Sequence, residues 1–269
     1  MVDPAEVNAR HGTDFAAAGA YAGGEVGATR LVDGAGRRYV LKLQPPGLAP
    51  ATTAALRPAG YPAPRYVAWS DGYCVQEELP GAPAGGWGAP PPAIAERLLE
   101  LNELQAGRAV DADENWPDAI VESVETGYED YCVTATLERH SQESRELLRL
   151  CRRVVGRGAA PLRGARDVVH WDFTLANVLV QDGRVTGVID WGGTRSGDRL
   201  FDLATLVYYA RGAAPELERE VVGRIGEEGL AVYLAHLAVR QSDWSLRHHG
   251  RAAGEGAIRY ALGLLSPLS

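Results

Sequence analysis

The chain has 269 residues, 46% of them hydrophobic and 23% charged, with a formal net charge of −8. That is enough to bury a substantial core in one or two domains. The acidic balance argues against a general nucleic-acid binder, which presents a basic face. No apolar run reaches the ~18 residues of a membrane span, and the N-terminal M-V-D-P-A-E-V-N-A-R has no apolar signal region. Cys74, Cys132 and Cys151 have neither zinc-finger nor redox spacing. A reduced, cytoplasmic setting is expected.

The first forty residues are rich in Gly and Ala and read as strand, glycine turn, strand, turn, strand. Gly23, Gly24 and Gly27 would let a backbone approach phosphates closely. Asp33-Gly34 and Gly36 mark a hairpin turn, and Tyr39 to Leu43 is a strand with Lys42 inside an apolar run. A short helix is expected from Pro50 to about Pro58. Strands Tyr66 to Trp69 and Tyr73 to Gln76 follow, joined at Asp71-Gly72 and leading into Glu77-Glu78-Leu79-Pro80-Gly81, a hinge. Residues 82–92 look like a linker carrying Trp87. Helical patterns then cover Ile94 to Gln105 and a segment ending near Val155. After the central stretch, helices are expected over Phe201 to Ala210, Glu216 to Ile225, Leu230 to Trp244 and Ala252 to Leu265.

That central stretch, Val168 to Asp190, carries the chemistry. It sets His170, Asp172, Asn177 and Asp190 between apolar, strand-like runs. Phosphoryl transfer needs a carboxylate beside the attacking hydroxyl and oxygen ligands for a metal on the phosphates. Asp172 supplies the first, as catalytic base. Asn177 offers a neutral amide oxygen. A hairpin through Asp182-Gly183 brings Asp190 back beside it, so the two would share magnesium. The H-x-D-x-x-x-x-N spacing matches the base-to-asparagine spacing of kinase motifs. His170 is expected to brace the loop rather than to touch substrate.

The residues that carry a family are V-L-K at Val40 to Lys42, E-E-L-P-G at Glu77 to Gly81, V-V-H-W-D-F-T-L-A-N-V-L-V, and G-V-I-D-W-G-G-T-R-S-G-D-R-L-F-D-L-A from Gly187 to Ala204. Together they resemble the aminoglycoside phosphotransferase and choline kinase family. The resemblance implies an α+β, bilobal, protein-kinase-like fold, with a small antiparallel sheet in an N-terminal lobe (1–80) and a larger, mainly helical C-terminal lobe (81–269). It implies ATP or GTP with magnesium as cofactors. Lys42 would bind the α- and β-phosphates, and Glu77 and Leu79 would meet the base through their backbones. Asp202 would brace the catalytic loop, with Asp198 similar. Two departures stand out: Trp171 occupies a position that is often glycine in the family, and the short helix after Lys42 has no glutamate to pair with it.

The acceptor implied is a small-molecule hydroxyl, with an aminoglycoside or another antibiotic as the leading candidate and choline, homoserine or a sugar as the alternative. A nucleotide-binding pseudokinase is the reading from a different class. Asp111, Asp113, Glu114, Glu122, Glu125 and Asp130 are acids that would suit a cationic acceptor, and a solvated face is the plainer account of each. Asp243, Trp244, His248 and His249 would line the pocket, with Trp244 expected in the core; adjacent histidines on a helix face apart, so no zinc site is expected.

Overall fold

The computed structural model describes residues 2–20, 27–111, 115–128, 131–156, 162–164 and 166–266. Its front third is built on a five-stranded sheet, β1 (Ala16–Ala20), β2 (Ala28–Val32), β3 (Arg38–Lys42), β4 (Tyr66–Ser70) and β5 (Tyr73–Glu77). The strand order is β1-β2-β3-β5-β4, antiparallel throughout. Gly23 and Gly24 lie outside the described residues. The β2–β3 turn is closed by the Asp33 carboxylate, which accepts from the N–H of Ala35 and Arg37 and from the Tyr39 hydroxyl. Period-2 alternation sends Tyr39 and Leu41 into a core with Val7, Phe15, Leu31, Tyr73 and Val75. Lys42 is left at the strand's end, paired in register with Cys74.

A helix, α1 (Pro4–His11), precedes the sheet. No periodicity announces it, but its caps are legible: Asp3 accepts from the Glu6 N–H at 2.9 Å, Pro4 opens the first turn, and Gly12 closes it at φ 64°. The short helix α2 (Ala49–Leu56) stands where expected and continues into a 3-10 turn, Arg57–Ala59. Its buried apolar residues, Ala49 and Leu56, join Tyr61 in the larger helical core instead of the sheet's own.

The hinge is tighter than its composition suggests. Gly81 has φ 109°, and a Cβ there would sit 2.9 Å from the Val180 carbonyl oxygen, so only glycine fits both the conformation and the space. The stretch expected as a free linker begins as a strand, β6 (Ala82–Pro83), hydrogen-bonded to β8 (Val178–Gln181). β8 pairs in turn with β9 (Arg184–Val188).

The rest is mainly helical: α3 (Pro92–Leu104), α4 (Trp116–Glu125), α5 (Thr134–His140), α6 (Gln142–Val155), α7 (Leu200–Ala210), α8 (Pro215–Trp244) and α9 (Arg251–Leu265). Two three-residue strands, β7 (Asp167–Val169) and β10 (Arg195–Gly197), pair antiparallel and flank the central stretch. α8 is broken at Gly226, φ 75° and ψ 162°, which divides it where the sequence pattern divides. Trp244 is only half-buried, its ring 3.9 Å from that of His248. The fully buried residue is Asp243, whose carboxylate accepts from Arg247 and from the Val133 N–H. The helix turns one position further than expected, so the acid sits inside and the indole at the margin.

His236 of α8 is fully buried between Phe201 and Trp171 and hydrogen-bonds Ser123 at 2.6 Å. Burial pulls its pKa down to about 3, with Arg240 and Arg195 adding to the effect. The unfolded chain takes up a proton near pH 6.5 that the folded chain refuses. His236 therefore contributes stability above that pH, and the contribution is lost as pH falls toward 3. Between pH 7.5 and 5.5 the loss is about 1 kcal/mol. Denaturant unfolding at the two pH values should show a smaller pH-dependent loss for His236→Gln than for the wild type.

Candidate active site

The central stretch leaves β7 at Val169, which is fixed by pairing with Arg195 and by the Thr194 hydroxyl donating to its carbonyl at 2.9 Å. The next two N–H groups have no strand partner. Both donate to the Asp202 carboxylate on the first turn of α7, His170 N to Oδ2 at 2.8 Å and Trp171 N to Oδ1 at 3.1 Å. Gln105, at the end of α3, donates to the same Oδ2 at 2.7 Å. Asp202 is fully buried; burial pushes its pKa up to about 7, and the three donated hydrogens oppose that rise.

His170 is buried, and burial holds its pKa below the ordinary value, so the ring is neutral. Its Nε2 lies 2.8 Å from the Ile189 carbonyl. A carbonyl only accepts, so Nε2 carries the hydrogen and Nδ1 accepts from the Asp172 N–H at 3.3 Å. The ring thereby ties the loop to the residue before Asp190. The Trp191 ring packs on it at 4.5 Å.

Asn177 closes the loop. Its Nδ2 donates to the Asp172 carbonyl at 2.9 Å and to Asp172 Oδ2 at 2.8 Å, leaving its Oδ1 as the amide's acceptor. Its own carbonyl accepts from the Ile189 N–H at 2.9 Å. The β8–β9 hairpin makes that meeting possible: Asp182 and Gly183, at φ 51° and 73°, form a turn with both central residues left-handed, and Val178 comes opposite Val188. Asp190 follows at φ 67° with its carboxylate exposed.

Lys42 meets Asp190 here, Nζ to Oδ1 at 3.0 Å. With no acid on α2, this pair is what orients the lysine. Glu77 ends β5 with its carboxylate held by Arg57 and Arg65, so only its backbone is left to face a ligand. The Leu79 side chain rests on Gly187. Among the described residues nothing accepts from the Leu79 N–H. Asp198 is a buried brace, accepting from the Leu200 N–H and the Tyr233 hydroxyl.

The backbone at Trp171 gives a physical reason for the glycine that the resemblance implies at this position. Its φ is 76°, in the left-handed region that costs a bulky residue of order 1–3 kcal/mol. The ring compensates by stacking on Phe201 at 4.8 Å and meeting Trp116, Tyr131 and His236 edge-on. The guanidinium groups of Arg195 and Arg240 also lie over it. Of the acids considered for a cationic acceptor, Glu122 and Glu125 are exposed on α4, and Asp113, Glu114 and Asp130 lie outside the described residues. Three participants are not singled out by sequence. Gln105 has a weak signal, a polar residue closing an apolar helix face. Arg195 and Arg240 have none, because their meeting with Trp171 is made only by the fold.

A family model described as the phosphotransferase enzyme family matches residues 20–236. The chain belongs to that family. Aminoglycoside 3'-phosphotransferase of Escherichia coli is 38% identical to it over 66 residues, 24% of each chain. Hygromycin-B 4-O-kinase of the same organism is 41% identical over 44 residues, 16% of this chain and 13% of that one. These stretches span a quarter of the relatives' length or less. Among solved structures, a thermostable mutant of aminoglycoside phosphotransferase APH(4)-Ia, in ternary complex with AMP-PNP and hygromycin B, superposes with a TM-score of 0.72 at 20% identity, covering 94% of this chain and 93% of that one. A putative fructosamine-3-kinase from Thermobifida fusca gives 0.68 at 20% identity, covering 97% and 98%. The bilobal kinase-like fold is thereby that of the family.

Asp202→Ala should strip the acceptor from three buried N–H groups at once. Each orphaned donor costs about 1–3 kcal/mol, so a loss of at least about 3 kcal/mol is expected in denaturant unfolding. A loss below about 1 kcal/mol would mean that the loop is held elsewhere.

Proposed function

We propose that this chain is a magnesium-dependent kinase that moves the γ-phosphoryl group of a nucleoside triphosphate, ATP or GTP, to a hydroxyl of a small molecule. The observation that carries this is the meeting of two pairs. Asn177 hydrogen-bonds Asp172 Oδ2 at 2.8 Å, Lys42 reaches Asp190 at 3.0 Å from far away in sequence, and the Ile189 N–H on the Asn177 carbonyl brings the pairs together.

Asp172 takes the proton of the acceptor hydroxyl as its oxygen bonds to the γ-phosphorus. The bond from that phosphorus to the bridging oxygen breaks, and the nucleoside diphosphate leaves with the electron pair. Asn177 positions the base, because its Nδ2 occupies Asp172 Oδ2 and leaves Oδ1 for the hydroxyl. Asn177 Oδ1 and the exposed Asp190 carboxylate are the residues that would hold magnesium. The donor set fits: both ligands are oxygens, and among the described residues no group of three or more His, Cys, Asp or Glu makes a self-sufficient metal site. Magnesium of this kind keeps phosphate oxygens and water as its other ligands. When bound, it neutralises phosphate charge.

In this proposal residues 1–80 form the nucleotide lobe and residues 81–269 the catalytic and acceptor lobe. Lys42 serves the α- and β-phosphates, and Gly23 and Gly24 are assigned to phosphate binding from the sequence alone. The backbones of Glu77 and Leu79 serve the base, an assignment favoured by the open Leu79 N–H. The missing helix acid was the sequence feature favouring a pseudokinase; Lys42 has a carboxylate partner without it. No described helix is long and apolar enough to cross a membrane, and the working compartment is taken as the cytoplasm. The acceptors to test first are aminoglycosides, after the relatives' names, and hydroxyl metabolites such as choline, homoserine and sugars.

Acceptor-dependent nucleotide consumption, followed across such a panel, should require magnesium and cease with chelator. Asp172→Ala should lower it by about 100- to 10,000-fold, the usual worth of a positioned base. Nucleotide should still raise the variant's melting temperature. Unchanged turnover in Asp172→Ala would refute the mechanism.

A further inference from the structure

Trp171 is the residue immediately before the proposed base, and two arginines meet on its ring. The Arg195 Cζ lies 4.7 Å from the Trp171 ring centroid and 5.1 Å from that of Tyr131. The Arg240 Cζ lies 4.9 Å from the same Trp171 centroid, and its Nη1 donates to the Trp171 carbonyl at 2.6 Å. Arg195 is exposed and Arg240 half-buried. Among the described residues neither has a carboxylate partner. Asp243, the acid nearest in sequence to Arg240, is committed to Arg247 and the Val133 N–H.

Two like charges brought over one indole repel each other, and in water such groups drift apart. Here the fold holds them together. Arg240 is hydrogen-bonded to the loop carbonyl, and the backbone of Arg195 is set opposite Val169 by the pairing of β10 with β7. The indole beneath them is kept despite a left-handed backbone, φ 76°. Strain retained beside a catalytic loop is a mark of use. An aromatic floor that positions unneutralised guanidinium groups suits an oxyanion, because arginine presents paired N–H donors to carboxylate or phosphate.

We infer that Arg195 and Arg240 form an acceptor subsite for an anionic group, so that the natural acceptor is a hydroxyl compound carrying a carboxylate or phosphate and not a polycation. It rests on the kinase activity proposed above. The anion docks on the arginine pair, and the acceptor's hydroxyl is presented to Asp172, the residue that follows Trp171.

The test uses three compounds with a closely related skeleton and different charge, gluconate, glucose and glucosamine, with ribose 5-phosphate for the phosphate source. Their binding to the full chain is measured by calorimetry with magnesium and a non-hydrolysable nucleotide. Gluconate or ribose 5-phosphate should bind at least tenfold more tightly than glucose and glucosamine. Which of the two is tighter separates carboxylate from phosphate. Arg195→Glu should remove that preference, and Arg195→Lys should restore part of it, with circular dichroism reporting that both variants fold. Equal response to all four compounds, no response to any, or a preference that survives Arg195→Glu would overturn the subsite. Turnover separates the two proposals. Anion preference in binding, with no acceptor-dependent nucleotide consumption from any compound, defeats the kinase and leaves the subsite standing. Rapid phosphorylation of kanamycin, unimproved by Arg195→Glu, supports the kinase and overturns the subsite.

Discussion

One carboxylate holds the loop between β7 and β8 in shape. Asp202 accepts the two consecutive N–H groups that leave β7, and Gln105 as well. A loop crossing a packed interior has backbone donors with no ladder to join, and each unpaired one is costly. Because the acceptor sits on the first turn of α7, the loop's geometry is set by a helix packed into the larger core. His170 extends the constraint by bridging to Ile189, and Asn177 extends it again through the Ile189 N–H. Asp172 and Asp190 thereby inherit their positions from one buried carboxyl group.

Much of this is legible in the sequence where the signal is local. The strands of the front sheet follow from alternation and turn residues. The β8–β9 hairpin follows from Asp182-Gly183, and the break in α8 follows from a glycine between two apolar periodicities. What escapes has nonlocal causes. β10 is three residues long and is no strand until it finds β7. Lys42 has no partner within reach along the chain; Asp190 reaches it only after the hairpin reverses. α1 is a different failure, since Asp3, Pro4 and Gly12 are ordinary capping signals hidden in a Gly/Ala-rich region. Trp244 went astray by a small rotation of its helix, the least certain quantity in any periodicity.

The same split runs through the candidate site. The proposed base and the proposed metal ligands are legible as a set because they lie in one motif. The wall around it was not. Trp171 stood out as an oddity, but nothing in the sequence joins Tyr131, Arg195 and Arg240 to it. Charge counted along the chain pointed to exposed acids such as Glu122 and Glu125, whereas the charges the fold places over the Trp171 ring are cationic. Net charge describes a whole surface and says little about a wall a few residues wide.

The Lys42–Asp190 pair has a consequence for control. In protein kinases the corresponding lysine is gripped by a glutamate on a movable helix, and activation works by positioning that helix. Here α2 carries no acid, and its buried apolar residues belong to the large core. Swinging α2 would release no charge from the lysine. A phosphotransferase with this arrangement lacks that particular lever for a partner or a modification to pull.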